Sequence, residues 1–103
     1  MNMEKCSKDR FMTLRSLFDS AEIKLKETEQ LCGDLAIPSV NELRYVGYHI
    51  TKALCHDVDS NDYNEELLRA ERHCKRAVYD ANEVGIEYLL RKIANFKEQY
   101  SSS

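Results

Sequence analysis

Apolar residues in the second half of the chain fall at Leu67, Ala70, Cys74, Ala77, Val78, Ala81, Gly85, Leu89, Ile93, Phe96 and Tyr100. Steps of three and four mark an α-helix with one buried face. The run from Tyr63 to Tyr100 contains no proline and a single glycine, Gly85. A glycine costs about 1 kcal/mol in a helix interior, too little to force a break. No good N-cap follows it, and the stripe stays in phase through it. The pattern therefore predicts one continuous or gently kinked helix, roughly 55 Å long. The alternative is a break near Gly85 that folds the end back as a fourth helix.

An earlier stripe runs through Phe11, Leu14, Phe18, Ala21, Leu25, Thr28 and Cys32, widened by Leu17 and Leu31. It predicts an amphipathic helix from about Met3 to Cys32. Gly33 follows as a helix-ending glycine. The linker from Gly33 to Pro38 holds the only proline, which is expected to keep Ile37 out of helical geometry. Ser39-Val-Asn-Glu42 then matches a capping box, so a second helix is predicted from Val40 to His56. Leu43, Val46, Gly47, Ile50, Ala53 and Leu54 form its expected buried face. Asp62 with Glu65 repeats the capping pattern and opens the third helix. Ser101 to Ser103 read as a frayed tail. No internal repeat is apparent.

The expected fold is thus all-α, a single domain over residues 1–103. It is an up-down bundle of three long helices, or four if the last one breaks at Gly85. The third helix is far longer than the second and cannot be covered by it. Its surplus apolar surface predicts a homodimer.

Composition supports this picture. Hydrophobic residues make up 43% and charged residues 32%, which suits amphipathic elements, and the near-absence of proline and glycine leaves few turns. The net charge of −3 excludes a globally basic nucleic-acid footprint, so any RNA contact needs a local patch. No apolar run is long enough to span a bilayer, and the amino terminus lacks the pattern of a signal peptide, so no membrane association and a cytoplasmic location are expected. The four cysteines are widely spaced and read as reduced thiols, with Cys74 a core residue. No cofactor and no metal are expected. Asp57, Asp59, Asn61 and Asp62 lack the glycine and the spaced glutamate of a calcium loop.

Two groups of side chains carry candidate chemistry. Glu42, Tyr45, His49, Lys52 and His56 share one stripe of the second helix, with Arg44 nearby. A histidine can move a proton near neutral pH, and an arginine can hold a phosphate and stabilise developing charge. The plainer reading is a pair of half-buried tyrosines beside a solvated charged face. Arg69-Ala-Glu-Arg-His-Cys-Lys-Arg76 is the one densely basic segment. Arg69, Arg72, His73 and Arg76 can dock a phosphate backbone, or simply pair with Glu66, Asp80 and Glu83 on a solvent face.

Arg44-Tyr-Val-Gly-Tyr-His49 has an Arg, four intervening residues and a His. Together with Ala70 to Asp80 it resembles the paired helices of small HEPN-like helical proteins, over residues 39–100. That resemblance implies an all-α bundle, often dimeric, working either as a binding module for RNA or a partner protein or as a metal-independent endoribonuclease. For the nuclease it implies His49 as acid–base and Arg44 as phosphate clamp, facing a second copy across the dimer. Arg69, Arg72, His73, Arg76 and Tyr45 would be RNA or partner contacts. A purely structural oligomeric bundle is the remaining reading.

Overall fold

The computed structural model describes residues 7–101. Three helices make up the fold: α1 (Ser7–Cys32), α2 (Ile37–Ala53) and α3 (Asn61–Ser101). The expected start of α1 at Met3 lies outside the described residues. α3 runs 41 residues without interruption, straight through Gly85. The fold-back into a fourth helix does not occur.

Both shorter helices pack on α3 and barely meet one another. α1 runs parallel to α3, with Phe11 edge-on to Tyr63 at the bottom and Thr28 at the level of Ala81. α2 runs antiparallel, with His49 beside Glu66 and Ser39 beside Ala77. The core gathers Leu14, Val46, Ala53, Tyr63, Leu67, Ala70 and Cys74, with Phe11, Leu17, Phe18, Leu43 and Ile50 around it.

The stripe of α3 narrows as it rises. Ala70, Cys74, Ala77, Ala81 and Gly85 are all buried and all small. Small residues at this spacing let neighbouring helices approach closely. Two hydroxyls use that proximity. Ser39 Oγ donates to the Ala77 carbonyl at 2.7 Å, and Thr28 Oγ1, bonded at 2.9 Å to the Lys24 carbonyl of its own helix, reaches the Ala81 carbonyl at 3.3 Å. Burial without a partner would cost the Ser39 hydroxyl about 1–3 kcal/mol.

Three local expectations are corrected. The capping box at Ser39 does not form. α2 starts earlier, at Ile37, with Ala36 as N-cap and no side-chain cap, because Pro38 fits the first turn, where its missing N–H is no loss. Ser39 and Glu42 instead face α3. The cap of α3 is Ser60, whose Oγ accepts the Tyr63 N–H at 3.2 Å, two residues before the expected Asp62. α2 stops at Ala53, and Gly47 and Leu54, expected to be buried, are exposed. The face that meets α3 is the strip through Ser39, Val46 and Ala53, and Gly47 lies round from it. Gly33 does end α1, at φ 74°, with its N–H on the Glu29 carbonyl.

The last fully packed turn of α3 is at Gly85. Beyond it the helix projects for roughly 24 Å. The molecule measures 71 × 26 × 17 Å with a radius of gyration of 18.6 Å. A compact chain of this length has about 13 Å.

Candidate functional site

Two regions combine exposed or reactive chemistry with a defined place in the fold. The first is a column of rings between α2 and α3. Tyr45 stacks on His73 with centroids 5.2 Å apart, and His73 stacks on His49 at 5.2 Å and 14°. Tyr48 meets His49 edge-on at 5.4 Å. Cations lie against the outer rings: the Arg44 guanidinium is 5.8 Å from the Tyr45 centroid and Lys52 Nζ is 5.2 Å from that of Tyr48.

Each imidazole is held by a carboxylate from the other helix. His49 Nδ1, on α2, pairs with Glu66 Oε2 of α3 at 2.7 Å. His73 Nδ1, on α3, pairs with Glu42 Oε2 of α2 at 2.5 Å. The reciprocity follows from the sequence. Glu42 precedes His49 by the same spacing as Glu66 precedes His73. Seven residues are about two turns, so each pair lies on one face. Antiparallel packing then sets the glutamate of one helix against the histidine of the other. Although no repeat is apparent along the whole chain, this short Glu-x6-His spacing occurs twice. It is the signal that identifies Glu42 and Glu66 as site residues, roles that capping and helix-surface pairing obscured.

Glu66 draws together three basic side chains. It is buried, and besides His49 it pairs with Arg69 at 3.0 Å and Lys52 at 3.5 Å. Burial pushes its pKa up. The hydrogen bond from His49 and the charges of Lys52 and Arg69 outweigh that effect and hold the carboxyl below its ordinary 4.5. Asp80 moves the other way, raised by burial and then by the nearby Glu42 and Glu83 charges, with Arg76 opposing.

The expected site residues are thus partly assembled. Tyr45, His49 and His73 form one stack, and Arg69 joins it through Glu66. Arg44 is exposed and touches Tyr45, with no described contact to His49. Arg72 and Arg76 are exposed on α3. His56 lies exposed in the turn after α2, away from the stack. A carboxylate on Nδ1 orients an imidazole and leaves Nε2 as the nitrogen that exchanges protons. The His49 and His73 side chains are only 12% and 16% exposed, however. That depth suits a polar clasp between two helices better than an open cleft for a polymer. Among the described residues no group of three or more His, Cys, Asp or Glu is placed to hold a metal ion.

The second region is the projecting end of α3. Ile86, Leu90, Ile93, Phe96 and Tyr100 are 53–68% exposed, and Leu89 is 47% exposed. The Phe96 and Tyr100 rings meet at 4.6 Å, tilted by 38°. Where the projection leaves the bundle, a groove of about 230 Å³ opens between α1 and α3, bordered by Leu31, Gly85, Ile86 and Leu89. On the other side, the α1–α2 turn and α3 enclose a wider, more polar hollow of about 520 Å³, lined by Leu35, Tyr88, Glu87, Arg91 and Lys92 among others.

No protein-family model, curated protein or solved structure matches this chain. Among the described residues no helix is long and apolar enough to cross a membrane.

Proposed function

We propose that the protein is a small helical-bundle interaction module of HEPN-like type whose contact element is the projecting half of α3. The observation that carries this reading is the exposed apolar row from Ile86 to Tyr100 on a helix that outruns its own bundle. Large contiguous apolar patches on a soluble helix are expected where another macromolecule docks. The half-buried stack of Tyr45, His73 and His49 supports the same reading from the other end. It joins α2 to α3 and so serves the bundle rather than an open site. The target favoured by an apolar row is a protein surface.

The test is a photo-crosslinking amino acid placed at Phe96, with Arg15 on α1 as the control position, in cells that make the protein. Adducts of defined mass from Phe96 and none from Arg15 are expected, and mass spectrometry identifies the partner. No adduct at Phe96, or equal adducts from both positions, overturns the reading. RNA recovered with the chain and lost in Arg72→Glu with Arg76→Glu would move the target to nucleic acid.

The endoribonuclease alternative draws on His49, whose Nδ1 is held by Glu66. It requires metal-independent RNA cutting that His49→Ala abolishes. Arg44 contacts Tyr45 rather than His49, and the imidazole is deep, which is why binding is the preferred reading.

A further inference from the structure

The projecting row has an internal symmetry. Ile86, Leu90, Ile93, Phe96 and Tyr100 are spaced four, three, three and four residues apart. These five read the same in both directions from Ile93; Leu89, 47% exposed beside the row, falls opposite the stem of Lys97 in the same register. A two-fold axis through Ile93 therefore lays the row onto itself when a second helix runs the opposite way, with Ile86 opposite Tyr100 and Leu90 opposite Phe96.

The helix dipoles favour the same orientation, since an antiparallel pair opposes them and a parallel pair aligns them. Charge is mixed along the segment: Glu83 and Glu87 lie below Arg91, Lys92 and Lys97, and Glu98 follows. In the antiparallel register Glu87 lies within a turn of both the opposing Lys97 and the opposing Glu98. With the whole row covered, the exposed apolar side chains of two copies would bury on the order of 1,200 Å², the lower end of what a specific interface buries. In this register the opposing Tyr100 arrives at the level of Gly85 and Ile86, where the groove bordered by Leu31 lies.

Resting on the interaction reading above, we infer that the partner of this surface is a second copy of the same chain, docked antiparallel along α3 with its axis at Ile93. The two bundles then stand at opposite ends of one shared helical pair. Each groove beside Leu31 receives the tip of the other copy.

Sedimentation equilibrium on the full chain, with variants, tests this. A dimer is expected. Ile93→Asp should weaken it roughly 30-fold or more while leaving the helix content and thermal unfolding of the bundle intact. Orientation is read by mixing Ile86→Cys with Tyr100→Cys chains, in a background with Cys55→Ser, and oxidising. Mixed disulfides support the antiparallel pair. Disulfides between two Ile86→Cys chains, or a chain that stays monomeric at sub-millimolar concentration, overturn it. A monomer that still yields a Phe96 adduct to another protein overturns self-pairing alone. Absence of any Phe96 adduct removes the interaction reading itself.

Discussion

His49 and His73 lie ring on ring, 14° from parallel, and each is tied through Nδ1 to a glutamate on the opposite helix. The two helices are thereby joined by a polar clasp above an apolar core. His73→Ala should destabilise the fold by about 1–3 kcal/mol, because it takes the imidazole from the half-buried Glu42 carboxylate, and His49→Ala by about 0.5–1.5 kcal/mol, because Glu66 keeps Arg69 and Lys52. The double variant should fall short of the sum by about 0.5–1.5 kcal/mol, the size of a direct ring–ring coupling. Urea unfolding of the four proteins measures this, and strict additivity would show that the rings do not interact.

The acid limb of stability should report Glu66. Its carboxyl is held below the ordinary 4.5 in the fold, so it binds fewer protons folded than unfolded near that pH. Its stabilising contribution is full above pH 4.5 and is lost as the pH falls through the lower folded value. Glu66→Gln should flatten this part of the stability profile and lower stability at pH 7 by about 1–3 kcal/mol. A midpoint that depends on acid pH in the same way with and without the substitution would contradict the assignment.

Two glycines should respond in opposite directions. A methyl group at Gly85 meets only Leu31 Cδ2, at an ordinary contact distance of 3.8 Å, inside a continuous helix. Gly85→Ala should stabilise by about 0.5–1 kcal/mol. Gly33 has open space around it but a φ of 74°, so Gly33→Ala should destabilise by about 1–2 kcal/mol. Thermal unfolding checks both, and a destabilised Gly85→Ala would mean that the helix bends there when folded in solution.

Thiol chemistry should discriminate between the cysteines. Cys55 is exposed, whereas Cys74 is buried, and that burial, with Glu71 adding to it, pushes the Cys74 thiol up to about 11. Thiolate is the reactive form, so iodoacetamide at neutral pH should label Cys55 in the folded protein and reach Cys74 only on unfolding. Peptide mapping before and after denaturation reads the result directly.

Much of the architecture was legible because helical periodicity is a property of the chain itself. The stripes of α1 and α3, the uninterrupted course through Gly85, the glycine stop at Gly33 and the core thiol at Cys74 all follow from spacing. What spacing alone misread were residues with two competing partners. Ser39 and Glu42 have the form of a cap, but the Ala77 carbonyl and the His73 ring are nearer claims once α3 lies alongside. Tyr45, His49 and His73 stand out in the sequence as chemically suggestive residues. Their stacking does not, since it depends on how far α2 slides along α3. Arg44 and His49 are close along the chain, yet the ring of Tyr45 takes the guanidinium.

The 71 Å length has a practical consequence in the laboratory. A 12.0 kDa rod tumbles and diffuses as a larger sphere would. Size-exclusion elution judged against globular standards will overstate its mass, and a single copy will masquerade as two. Light scattering or equilibrium centrifugation, which weigh the particle regardless of its outline, are the measurements to which any claim about its assembly must answer.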